Sequence, residues 1–95
     1  MNWKPLDTIG ETGSEGGIIL RDEASEECRI TLEQLPDRCA VTCGFAGAFC
    51  HTAFCGFAEK DTFYETMKSE LAAFAETETT PEQAIQFYEE FATKY

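Results

Sequence analysis

Basic side chains are scarce in this chain. Lys and Arg number 7 against 18 Asp and Glu, giving a net charge of −11 over 95 residues. A nucleic-acid binder held by phosphate contacts needs the opposite balance. An anionic membrane face repels such a chain as well. The expected partner is therefore neither a nucleic acid nor a membrane. Proline is also rare, at 3 residues, and histidine occurs once, as His51. A single His leaves little room for a His-based catalytic or metal-binding array.

Residues 39–58 lack charge altogether, and they lack Leu and Ile. The run has the length of a membrane-spanning helix, about 20 residues. Gly44, Gly47, Gly56, Thr42, Thr52 and His51 interrupt it. That composition suits an internal segment of a soluble fold better than a lipid-facing helix. The chain opens with no basic region followed by an apolar stretch, so no signal peptide is expected. Five cysteines make an odd set, and four of them crowd into 39–55. A secreted disulfide framework spreads an even set along the chain. Reduced thiols in a cytoplasmic protein are the expectation.

What is present is enough apolar material for one modest core. Apolar residues make up 43% of the chain, charged ones 26% and aromatic ones 13%, a globular profile. One domain spanning 1–95 follows. Its charge is uneven: −2 over 1–16, −3 over 17–38, zero over 39–58 and −6 over 59–95.

Residues 1–16 read as an irregular approach punctuated by Gly10, Gly13 and Gly16. The stretch lacks the Lys-Ser/Thr ending of a phosphate-binding loop. Strands are expected over 17–58. Ile18-Ile19-Leu20 is short and β-favouring, and 21–27 reads as a polar connection. Cys28 to Glu33 alternates with period two, placing Cys28, Ile30 and Leu32 on one face. Pro36-Asp37 then turns the chain. In 39–58 the bulky residues take odd positions and the small ones even positions. This segment reads as one long bent strand, or as two strands broken near Gly47. Its small-residue face lets a helix or a second copy approach closely, so a homodimer is expected.

Two helices are expected over 59–95. The first starts near Asp61 as N-cap, with Phe63, Met67, Leu71 and Phe74 at helical spacing. The second starts at Thr80, with Pro81 at N1 and Gln83 closing a capping box. The fold class is α+β: a small antiparallel sheet of three to four strands in the N-terminal half, covered by two C-terminal amphipathic helices.

Three kinds of chemistry compete for the candidate residues. Cys39, Cys43, Cys50, His51 and Cys55 are soft ligands that suit zinc or a redox role. Their spacing lacks the Cys-x2-Cys pairs of common zinc sites, and along a strand their side chains spread apart. Packed core thiols with no cofactor are the plainer reading. A nucleophilic Cys50 or Cys55 with His51 would need a positive setting, which this chain does not supply. Carboxylate pairs at Asp22-Glu23, Glu26-Glu27 and Glu89-Glu90 could share acid–base work, but such clusters are usually solvated.

The remaining reading is recognition by charge. A small acidic domain without a catalytic constellation can steer a basic protein partner. Inhibitors and immunity-type proteins share this physical profile. The expected contact residues are Asp22, Glu23, Glu26, Glu27, Tyr88, Glu89 and Tyr95, with Trp3 and Tyr64 as further aromatic anchors.

Overall fold

The computed structural model describes residues 2–45 and 49–95. Period-two alternation builds its sheet. Strand β3 (Cys28–Gln34) buries Cys28, Ile30 and Leu32 on one face, as the pattern predicts. It pairs antiparallel with β2 (Ile18–Ala24) on one side and with β4 (Cys39–Phe45) on the other. Strand β5 (Phe49–Cys55) pairs with β4, and β1 (Lys4–Pro5) pairs with β2. The described residues thus form a five-stranded antiparallel meander in sequence order, not a sheet of three to four strands.

The extra strand comes from the segment expected to be irregular, where Lys4 and Pro5 add a two-residue edge. Strand β2 also runs further than expected. Arg21, Asp22 and Glu23 lie within it, and the turn shrinks to Ser25-Glu26-Glu27. The charges are tolerated in the strand because each finds a partner, described below. The central segment resolves into two strands; Gly47, the expected break, lies outside the described residues.

Helix α1 spans Lys60–Ala75 and α2 spans Pro81–Lys94. Glu59, not Asp61, occupies the N-cap of α1, and it makes no side-chain cap bond. Asp61 sits in the first turn, where a carboxylate favours the positive end of the helix dipole. The capping box of α2 is present as expected. The Thr80 hydroxyl accepts from the Gln83 N–H at 3.2 Å, and the Gln83 side chain accepts from the Thr80 N–H at 2.9 Å.

The helices cover the face that carries the bulky odd-numbered residues. The core joins Ile30, Leu32, Cys39, Val41 and Cys43 to Tyr64, Met67, Leu71 and Phe91. Helix α1 lies over β2 and β3, where the Tyr64 hydroxyl donates to Glu23 at 2.9 Å. Helix α2 reaches β5 through Phe91, whose ring meets Phe49 at 5.8 Å and His51 at 6.0 Å edge-on. No described helix is long and apolar enough to cross a membrane.

The opposite face of the sheet receives the N-terminal loop. Glu33 is buried there, accepting from the Gly17 N–H at 2.8 Å and the Glu15 N–H at 3.1 Å. Gly17 is required by close approach, since a Cβ would stand 2.6 Å from the Gln34 carbonyl oxygen. Gly16 beside it has φ +84°, a conformation that favours glycine.

Candidate functional site

The acidic connection expected to meet a partner divides into inward and outward halves. Asp22 points into the loop-covered face, and its side chain has no solvent exposure. Its carboxylate accepts from Arg29 through two nitrogens, at 3.1 and 2.6 Å, and from the hydroxyls of Thr8 at 2.6 Å and Thr31 at 2.9 Å. Burial alone would raise the Asp22 pKa; the bonds from Arg29, Thr8 and Thr31 outweigh it and hold the carboxyl below its ordinary value. Glu23 faces the helices instead. It binds Lys68 at 2.7 Å and Tyr64, and these bonds, with Arg21 nearby, likewise overcome desolvation and lower its pKa. Both carboxylates are consumed inside the fold. Only Glu26 and Glu27, at the hairpin tip, stand exposed.

The same accounting applies to the cations. Arg21 pairs with Glu65 at 2.5 Å, Lys60 with Asp61 at 3.6 Å, and Lys94 with Glu70. Arg38 lies against Asp37 at 4.0 Å and stacks on the Phe54 ring, 4.1 Å from its centre. With Arg29 and Lys68, six of the seven basic side chains have a carboxylate partner within the chain. Apart from Glu33, buried against backbone N–H groups, the acidic surplus is therefore left on the outside. Glu26, Glu27, Glu78, Glu82 and Glu89 are exposed and have no basic partner among the described residues.

Aromatic residues gather where α1 meets α2. Phe74 and Phe87 stack at 4.0 Å, Phe87 lies 5.6 Å from Phe91, and Tyr88 stacks on Phe49 at 4.7 Å. Tyr88 thus bridges helix and sheet and is half-buried. Tyr95 packs against Phe91 and Phe63, with its hydroxyl donating to Glu70; burial and that carboxylate raise its pKa. Tyr64, expected as a surface anchor, is instead wholly buried because its hydroxyl finds Glu23 beneath α1. Trp3 is half-buried, with the Lys68 ammonium 5.6 Å from its ring centre.

Between the two helices lies a groove of about 420 Å³. Phe74, Phe87 and Phe91 floor it, and Glu70, Glu90 and Lys94 stand at its rim. Ala73, Thr77 and Glu90 along its length are exposed, so it opens to solvent. Sequence reasoning did not find this groove. Its signal was the Phe74 and Phe87 pair, with Phe74 read only as part of the apolar stripe of its own helix.

The cysteines and His51 do not converge. Cys39, Cys43, His51 and Cys55 share the helix-facing side, while Cys50 is exposed on the other. Cys39 and Cys43 are four residues apart on one strand, about 13 Å at 3.3 Å per residue, and His51 and Cys55 likewise. Among the described residues no three His, Cys, Asp or Glu side chains come together to hold a metal. Cys39 faces Cys55 across the ladder, and all five thiols are free. The buried His51 Nε2 has no hydrogen-bond partner among the described residues.

These thiols should differ sharply in reactivity. Burial pushes the Cys28 thiol up to about 11, with Glu27 adding to it, and the Cys43 thiol up to about 12. Iodoacetamide at pH 8 is expected to label Cys50 first, with Cys28 and Cys43 slower by roughly a hundredfold or more. Peptide mapping over time checks this. Equal labelling of Cys43 and Cys50 would contradict the burial of Cys43.

Comparison with family models, curated proteins and solved structures finds no match to this chain.

Proposed function

We propose that this chain is a non-enzymatic, cytoplasmic interaction domain that uses the α1–α2 groove to hold a basic segment of a protein partner. The groove carries the reading. Its aromatic floor takes apolar side chains; at its rim Glu70 is already paired with Lys94, while Glu90, backed by the exposed Glu78, Glu82 and Glu89, favours Lys or Arg on the same segment. With six of the chain's seven cations already paired, the outward field is acidic and steers such a partner from a distance. An inhibitor or immunity-type protein for a basic target is one form this activity takes. The neutral centre of an otherwise acidic chain also supports self-association as a homodimer.

The test is calorimetric titration with a synthetic helical peptide alternating Leu with Lys and Arg, beside its Glu-substituted counterpart. Only the basic peptide should bind. Its affinity should fall as salt rises, because exposed charges are screened within ~8 Å at physiological ionic strength. Glu90→Lys should weaken binding roughly threefold to tenfold. Ala73→Trp, which fills the groove, should weaken it at any salt. Equal binding of the acidic peptide would overturn the proposal.

A further inference from the structure

The two edges of the sheet are built differently. At one edge β1 is only two residues long, and it consists of a charged residue and a proline, Lys4 and Pro5. Short length, Lys and Pro are the usual devices that stop another strand from adding. At the other edge β5 runs for seven residues, Phe49–Cys55, without charge or proline. Its register with β4 is continuous from Phe45↔Phe49 to Cys39↔Cys55, with no bulge. Among the described residues no strand lies beyond it.

The direction of its free backbone groups follows from the turns. The Leu35 N–H donates to the Arg38 carbonyl, so that pair closes the β3–β4 ladder. Hydrogen-bonded and non-hydrogen-bonded pairs alternate from there. Cys39 therefore directs its backbone toward β5, as do Val41, Cys43 and Phe45. Opposite them Phe49, His51, Ala53 and Cys55 complete that ladder. The N–H and C=O groups of Cys50, Thr52 and Phe54 point outward. Cys50 and Phe54 are exposed, Phe54 at 43%, so this edge is accessible.

We infer that β5 is the dimer interface, pairing antiparallel with the β5 of a second copy about a two-fold axis at Thr52. This deepens the homodimer reading above by naming its surface. Antiparallel pairing is self-complementary under a two-fold axis, so one edge serves both copies. In this register Thr52 lies opposite the second copy's Thr52, and Cys50 lies opposite the second copy's Phe54. Each of the three outward pairs exchanges two backbone bonds. Self-complementarity selects the occupant, and charge permits it at this edge. Each copy carries −11, and β5 falls within the one stretch, 39–58, that adds nothing to the repulsion. The pairing also joins the two meanders into one continuous sheet and removes the unprotected edge.

Sedimentation of the full chain between about 5 and 500 µM, where a small interface of this kind is expected to assemble, gives the first readout. The chain mass is 10.6 kDa, and the wild type should shift to twice that value. Thr52→Pro removes an outward N–H, and Thr52→Glu sets two like charges on the axis. Both should be monomeric at concentrations where the wild type is dimeric, with circular dichroism reporting the fold. Should the proline variant unfold, the glutamate variant and amide exchange of the wild type decide. The Cys50, Thr52 and Phe54 amides should exchange roughly tenfold more slowly at the higher concentration, while those of His51 and Ala53 should not change. A dimer unaffected by Thr52→Glu, without concentration-dependent protection at those three amides, would overturn the edge assignment alone. A monomer at every concentration would overturn the dimer reading with it. Open-ended growth beyond two copies would contradict the two-fold pairing.

Discussion

Replacing Arg29 with alanine should cost about 3–5 kcal/mol, more than replacing Asp22 does. The two partners are unequally placed. The Arg29 side chain is 55% exposed, and the Asp22 side chain is not exposed at all. Removing Asp22 returns an arginine to water. Removing Arg29 strands a carboxylate in the loop-covered face with only the Thr8 and Thr31 hydroxyls to support it. The pH dependence should change at this site. In the wild type the Asp22 pKa lies below its ordinary value of 3.8, so its contribution is complete above that value and is lost as pH falls through the lowered one. In Arg29→Ala the bonds and charge of Arg29 are lost while desolvation remains, so the Asp22 pKa should rise from its wild-type position. That variant therefore gains stability relative to wild type on acidification from neutral pH. Urea unfolding of both variants at pH 4.5 and 7 measures the effect. Equal costs for Asp22→Ala and Arg29→Ala, independent of pH, would contradict the buried placement.

Phe91→Ala should be comparably severe, at about 3–5 kcal/mol. Phe91 is 3% exposed and is the one residue that α2 buries fully. Its ring joins Phe49 and His51 below to Phe87 and Tyr95 along the helix. A cavity there removes the hold of α2 on the sheet. The Thr80 capping box cannot compensate, since a cap contributes about 1 kcal/mol to a helix that must still be packed. Amide exchange should accelerate across 81–94 while β2 to β4 stay protected. A loss below about 1 kcal/mol, with 81–94 unchanged, would show that α2 is anchored elsewhere.

The parts of the fold legible in the sequence are those set by local pattern. Cys28, Ile30 and Leu32 alternate, and all three are buried. Thr80, Pro81 and Gln83 spell out a helix start from adjacent residues alone. Misreadings arose where distant partners override local chemistry. Arg21, Asp22 and Glu23 look like a loop in isolation. They hold a strand because Glu65, Arg29 and Lys68 meet them there, two of these more than 40 residues away. Tyr64 looks like a surface anchor until Glu23 is placed against its hydroxyl. Glu33 sits on the polar side of an alternating strand, as expected, yet the loop at 13–17 buries it.

The candidate site was less legible still. Which carboxylates face outward depends on which ones the six paired cations have consumed, a long-range property. The groove depends on how two helices meet, and each stripe describes only one of them. The acidity itself was legible from composition. The cysteine cluster illustrates the opposite limit: crowding in sequence does not mean convergence in space when the segment is extended.

The central claim concerns where a basic segment docks, and nuclear magnetic resonance answers it most directly. Isotope-labelled protein is titrated with the basic amphipathic peptide, and amide shifts are mapped onto the chain. The account predicts saturable shifts at Ala73, Phe74, Thr77, Phe87 and Glu90, weakening as salt is raised. Shifts spread evenly over every exposed carboxylate, or confined to the loop at 6–17, would contradict it.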